Sequence, residues 1–95
     1  MTPELRAALE RTLGVEVARA KSLGGGSINE AFEVSLADGE SLFVKTHPRP
    51  PAGMFETEAR GLAWLAEADA IRVPRVLAVS ESDPAFLALE LLRPA

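Results

Sequence analysis

Two charged residues stand where the surrounding pattern calls for apolar ones, and they are the first candidates for chemistry. Lys45 lies in Ser41-Leu42-Phe43-Val44-Lys45-Thr46. Side chains alternate between the two faces of a strand, so Leu42, Val44 and Thr46 share one face while Phe43 and Lys45 share the other. Large apolar residues on both faces predict a central strand. Glu58 is the second. At helical spacing its neighbours are Phe55, Leu62 and Leu65, which puts a carboxylate on the apolar face of a helix. A carboxylate there is costly unless it is paired. Lys45, one short linker away, is the candidate partner. The other reading, that the lysine runs its stem along apolar surface and delivers its ammonium to solvent, stays open at this point.

A third feature is Gly24-Gly25-Gly26-Ser27. Successive glycines let a backbone approach a ligand closely and can aim N–H groups at phosphate oxygens. A plain hairpin turn has the same composition. The run does not fit G-x-G-x-x-G, because Gly26 is followed by Ser27, Ile28 and Asn29, and no Gly-Lys-Ser/Thr of a Walker motif occurs. His47 reads as an exposed loop residue, Trp64 as core or lobe-contact packing, and Arg72 and Arg75 as solvated.

The elements that must position these residues follow from punctuation and periodicity. Thr2-Pro3-Glu4 has the marks of a helix start: a hydroxyl cap, Pro at the first helical position and a carboxylate near the positive end of the dipole. Leu5, Leu9 and Leu13 then form one stripe, and Gly14 is placed to end the helix in a left-handed conformation. An extended segment is predicted over 15–23. Phe32, Val34 and Leu36 alternate with Glu33 and Ser35, which predicts a half-buried strand over 31–36. Asp38-Gly39 predicts a type I′ hairpin turn into a return strand over 41–46. The prolines of His47 to Gly53 exclude regular structure. A helix is predicted from about Met54 to Ala68. On it Phe55, Leu62 and Leu65 form one face, and Glu56 and Arg60 form an i,i+4 pair on the other. Gly61 costs about 1 kcal/mol relative to Ala in mid-helix, so a close packing contact there is one explanation of its presence. Residues 71–75 read as an extended crossing, followed by strands over 76–80 and 85–92 joined by a turn at 81–84. Helix, three strands, helix, two strands makes an α+β domain with a mostly antiparallel sheet of about five strands.

Composition narrows the chemistry further. Of 95 residues, 47% are hydrophobic and 25% charged, as in an ordinary folded domain. No apolar run approaches the ~20 residues of a membrane span, and there is no signal-peptide pattern. A formal charge of −4 argues against a nucleic-acid or anionic-membrane binder. Cys is absent and His47 is the sole histidine. Thiol chemistry, a thiolate metal site and a histidine pair are therefore excluded within these residues. Carboxylates, amines and backbone N–H groups suit the binding of an anion better than the hydrolysis of a bond. Ninety-five residues are few for an enzyme with a closed cleft, which suggests a lobe of something larger.

The order strand, Gly-rich turn, strand, Asp-Gly hairpin, strand with Lys, helix with Glu, then two strands resembles the N-terminal lobe of protein-kinase-like phosphotransferases. GGGSINEAFEV, LFVKT, MFETEARGLAWL, IRVPRVLAV and FLALELL are similar to the fructosamine (ketosamine) kinase family, related to aminoglycoside and choline kinases. The resemblance runs over nearly the whole chain. It implies that Lys45 holds ATP phosphates and that Glu58 orients Lys45. It implies a phosphate loop of Gly24, Gly25, Gly26, Ser27 and Asn29, a gatekeeper at Leu89, and adenine contacts from the backbone of Glu90 and Leu92. It further implies transfer of the γ-phosphate of ATP, with Mg2+, to a sugar hydroxyl of a ketosamine or glycated protein, promoting deglycation.

On this reading residues 1–95 are the nucleotide-binding lobe, with the catalytic base and magnesium ligands in a second lobe beyond Ala95. The chain by itself is then expected to be inactive, to bind ATP weakly at best, and either to self-associate through the exposed lobe interface or to be marginally stable. A cytoplasmic location follows from the ATP requirement and the missing signal pattern. The rival expectations are an aminoglycoside- or choline-kinase-like lobe and a non-catalytic kinase-like interaction module. Some relatives carry a reactive Cys in the glycine loop; none stands here, so redox switching through that loop is not expected.

Overall fold

The structure, a computed structural model, describes residues 1–24, 30–47, 51–68 and 73–92. Its elements follow in the expected order: α1 (Pro3–Leu13), β1 (Val17–Ser22), β2 (Glu30–Leu36), β3 (Ser41–Thr46), α2 (Met54–Ala68), β4 (Val76–Ser80) and β5 (Phe86–Glu90). The strands form one antiparallel sheet in the order β1-β2-β3-β5-β4. The strand bearing Lys45 is thus its middle strand. The fold is α+β, as the element order predicts.

α1 begins and ends where its punctuation says it should. The Thr2 hydroxyl accepts the Leu5 N–H at 3.1 Å, Pro3 opens the first turn, and Gly14 closes the last at φ 74°. Its stripe is buried through Leu5, Ala8 and Leu9. Two polar side chains of α1 also hold the entry to β1. Glu10 accepts the Val17 N–H at 2.8 Å, and Arg6 donates to the Val17 carbonyl at 2.9 Å. β1 starts at Val17 rather than at Val15, because its partner strand β2 ends opposite it at Leu36.

The sheet is apolar on both faces, and each face meets a different helix. On the α1 side lie Phe32, Val34, Leu36, Leu42, Val44, Phe86 and Ala88, packed with Leu5, Ala8 and Leu9. On the α2 side lie Ala85, Leu87 and Leu89, packed with Phe55 and joined by Phe43, Met54, Ala59 and Leu62. The alternation of β3 and β5 between these clusters follows from the two-residue strand period. In β5 it produces four successive buried residues, Phe86 to Leu89.

Several expectations are corrected. The hairpin is not a two-residue type I′ turn. Leu36 N–H donates to the Glu40 carbonyl at 2.8 Å and Gly39 N–H donates to the Leu36 carbonyl at 3.0 Å, with Gly39 at φ 93°. That is the three-residue loop closed by a left-handed glycine. Asp38 helps to shape it by accepting the Glu40 N–H on its side chain at 3.0 Å. β5 spans Phe86–Glu90, shorter than 85–92, because its pairing with β3 ends at Leu42–Glu90.

On α2, Phe55 is buried and Leu62 half-buried, but Leu65 is exposed. Trp64, at 69% exposure, is not core. The packed residues Met54, Phe55, Ala59 and Leu62 reach no further along the helix than Leu62, and residues 63–67 are exposed. Glu56–Arg60 is not among the ion pairs between described residues, in contrast to Arg6–Glu10 and Lys45–Glu58. Gly61 faces open space, with no atom within 4 Å of where a Cβ would stand, so close packing does not explain it. His47 is half-buried rather than exposed. Arg75 is exposed as expected, and Arg72 lies outside the described residues.

Candidate active site

The two anomalous charges of the sequence meet. Lys45 Nζ donates to Glu58 Oε2 at 2.6 Å. β3 delivers the lysine from the middle of the sheet, on the face it shares with Phe43, and α2 delivers the glutamate one turn past the buried Phe55. The lysine reaches an acid instead of bulk solvent, which decides between the two readings of its side chain. Lys45 stands opposite Ala31 on β2 and Leu87 on β5, and Phe43 stands opposite Glu33 and Leu89.

The pair is accessible, with side-chain exposures of 33% and 34%. A salt bridge this open contributes about 0–1 kcal/mol to stability. Its consequence is geometric. One of the three ammonium N–H donors is committed to Glu58, and the other two can face a ligand's oxygens. α2 lies mainly over β4 and β5. The β1–β3 part of the same face, with Ala31, Glu33, Phe43 and Lys45, is therefore only half-buried. A held cation beside a partly covered sheet face can bind and orient an anion.

The other candidate positions are spread along the same region. Gly24 takes φ 102°, and a Cβ added there would meet no atom within 4 Å, so the backbone conformation and not crowding is what asks for glycine. Leu23 N–H still donates to the Ala31 carbonyl at 2.9 Å, so the β1–β2 ladder runs up to the glycine run. Gly25, Gly26, Ser27 and Asn29 lie outside the described residues. Leu89 is buried at 5% exposure on the Lys45 side of the sheet. Glu90 ends β5, and its N–H is committed to the Arg75 carbonyl at 2.8 Å. Any ligand contact through the Glu90 amide would therefore require that bond to break. Leu92 is half-buried just beyond the strand.

One residue beside the site escapes the sequence reading. The Glu81 carboxylate, in the turn between β4 and β5, accepts the Gly53 N–H at 3.1 Å on one oxygen and the Glu56 N–H at 2.9 Å on the other. The signal was a missing one. A helix that starts after Gly53 has no capping side chain of its own, so its free N–H groups must find an acceptor elsewhere.

The family model described as fructosamine kinase matches residues 1–95, and the chain belongs to that family. A provisionally named ketoamine kinase of Thermus thermophilus is 42% identical over 84 residues, covering 87% of this chain and 30% of its own length. A chloroplastic protein-ribulosamine 3-kinase of Oryza sativa subsp. japonica is 42% identical over 59 residues, covering 62% of this chain and 17% of its own. A crystal structure from Thermobifida fusca YX-ER1, provisionally named a fructosamine-3-kinase, superposes with a TM-score of 0.79 at 34% identity, over 100% of this chain and 34% of that one. The chain thus spans about a third or less of the length of these relatives.

Proposed function

We propose that residues 1–95 are the nucleotide-binding lobe of a ketosamine kinase, in which Lys45 holds phosphate oxygens of ATP and Glu58 holds Lys45. The 2.6 Å Lys45–Glu58 contact on the half-open face of the sheet carries this reading. Phosphoryl transfer asks a protein chiefly for positioning and for stabilisation of charge on phosphate oxygens. An ammonium anchored to a helix carboxylate offers both, because its position is set before the anion arrives. Backbone amides of Gly24 to Ser27 and the hydroxyl of Ser27 would add neutral donors. Phe43 and Ala31 supply an apolar surface on the same face, backed by the buried Leu89, with the Glu90 carbonyl and the Leu92 amide as the backbone groups for an adenine edge.

The acceptor is a ketosamine hydroxyl on a small molecule or a glycated protein, in keeping with the names of the relatives. Phosphorylation at that position would promote deglycation. When bound, Mg2+ neutralises phosphate charge. We place its ligands, with the catalytic base, outside residues 1–95, in the second lobe that the resemblance implies. Residues 1–95 alone are then inactive. No described helix is long and apolar enough to cross a membrane, and a cytoplasmic setting suits an ATP-dependent enzyme.

The test is Lys45→Met, assayed in the complete gene product with ATP and fructosyl-lysine. The expected loss in kcat/KM is about 100- to 1,000-fold, as for removal of one preorganised charge-stabilising donor. Unfolding in urea should change by about 1 kcal/mol or less, because the pair is accessible. An unchanged kcat/KM overturns the assignment of Lys45. In residues 1–95 alone, ATP titration should move the amide resonances of Gly24 to Ser27 in the unsubstituted chain and fail to do so in Lys45→Met.

A further inference from the structure

The start of α2 is built differently from an ordinary helix start. Its first intrahelical bond runs from the Thr57 N–H to the Gly53 carbonyl at 2.9 Å, which makes Gly53 the cap residue and Glu56 the third helical residue. In a capping box the cap residue's side chain accepts the third residue's N–H, and the third residue's carboxylate accepts the cap residue's N–H. Gly53 has no side chain with which to begin such a box. Both N–H groups are taken instead by a single foreign carboxylate: Glu81 Oε2 accepts from Gly53 and Oε1 from Glu56. The acid comes from 28 and 25 residues away in the chain. Its negative charge at the positive end of the helix dipole adds to the hydrogen bonds.

The two bonds fix more than a helix end. Two attachments on different oxygens set the distance of the α2 start from the β4–β5 turn and resist rotation about the helix axis. Glu58 follows Glu56 by two residues, and its carboxylate must meet an ammonium fixed by the middle strand of the sheet. Phe55, Met54, Ala59 and Leu62 pack the helix on the sheet, and the two hydrogen bonds from Glu81 add a directional restraint at its first turn. We infer that Glu81 is a positioning residue for the Lys45–Glu58 pair, acting by clamping the first turn of α2 to the β4–β5 turn. The catalytic consequence rests on the phosphotransferase reading above; the structural one does not. A helix held at its start by a borrowed carboxylate is also one whose position answers to the β4–β5 turn, so changes in that turn reach the pair through Glu81.

Two arms test this and fail separately. In residues 1–95, Glu81→Ala should speed amide exchange at Gly53 and Glu56 and shift the Glu58 side-chain carboxyl 13C resonance, while amides of α1 keep their protection. An unshifted Glu58 carboxyl in Glu81→Ala overturns the proposal, whether or not the protein is a kinase. In the complete gene product, Glu81→Ala should lower kcat/KM about 10-fold in the native background and less than about 2-fold in Glu58→Ala, since residues acting through one another are not additive. Equal losses in both backgrounds, as a general loss of stability would give, overturn it. Glu81→Gln, which keeps one acceptor oxygen and the shape of the side chain, should fall between native and Ala in both arms and covers the case in which Ala folds poorly. A gene product without phosphotransfer in its native form defeats the kinase reading and leaves the spectroscopic arm to decide Glu81.

Discussion

α1 and α2 cover opposite faces of one sheet, and they are secured in opposite ways. α1 carries its own ends. Thr2 caps its start and Gly14 its finish, Glu4 stands in the first turn and Arg11 in the last, and its apolar stripe is closed over by the sheet. α2 has a glycine for a cap and no basic residue in its last turn, and its start depends on Glu81. α1 also sends polar side chains out to hold the backbone of β1, whereas α2 receives one from the β4–β5 turn. The comparison separates two tasks that share a sheet. The α1 face is a closed core whose energetics are those of burial. The α2 face is partly uncovered, and its charged pair is oriented by contacts distant in sequence. Strand β3 shows the division within six residues: Leu42 and Val44 point into the closed core, while Phe43 and Lys45 point toward the open side.

The sharpest way to break this contrast is to truncate a residue of the closed face. Leu9 is fully buried at 0% exposure, so Leu9→Ala should cost about 2–5 kcal/mol through lost burial and the cavity left behind. That is a large part of the ~5–15 kcal/mol available to a domain. Urea unfolding followed by circular dichroism measures it. Lys45→Met, on the other face, should leave the midpoint nearly in place. Comparable destabilisation by both substitutions would mean that the faces do not divide stability from chemistry as their burial says.

How much of this was legible beforehand follows the same division. α1 was readable because all its information is local: a hydroxyl, a proline, a stripe and a glycine between Thr2 and Gly14. The Lys45–Glu58 pair was readable because each partner violated an apolar pattern, and two violations that cure one another point to contact. The hairpin loop was not readable, since Asp-Gly serves two loop lengths and the strand register chooses between them. Leu65 misled because periodicity names a helix face without saying how far the surface beneath it extends. Glu81 was invisible in its own neighbourhood, where it reads as a turn residue, and could be sought only from the uncapped start of α2. The glycine loop stays an expectation, with all but Gly24 of its named residues outside the described part of the chain.

Glycines sharpen the comparison of the two helices at a smaller scale. Gly14 ends α1 at φ 74°, and Gly61 lies within α2 without a left-handed φ; at neither would an added Cβ meet an atom within 4 Å. Space is therefore equal, and only backbone conformation differs. Gly14→Ala should destabilise by about 1–2 kcal/mol in urea unfolding, the cost of an L side chain in the left-handed region.

Gly61→Ala should act with the opposite sign and about half the size. Alanine is favoured over glycine in a helix interior by about 1 kcal/mol because less backbone entropy is lost on folding. The exposed position offers nothing for the new methyl to collide with, and the expected gain is about 0.5–1 kcal/mol in urea unfolding. The sign carries the information, because α2 is held at its start by Glu81 and along its first turns by Phe55, Ala59 and Leu62. Stiffening it at Gly61, beyond most of those attachments, should raise stability without moving Glu58. An unshifted Glu58 carboxyl resonance in Gly61→Ala, beside a shifted one in Glu81→Ala, would show that the orientation of the pair is set at the start of the helix and not by its overall rigidity. A loss of stability in Gly61→Ala would instead mean that the middle of α2 needs the backbone freedom of glycine, and the helix could not then be treated as one rigid arm turning about its first turn.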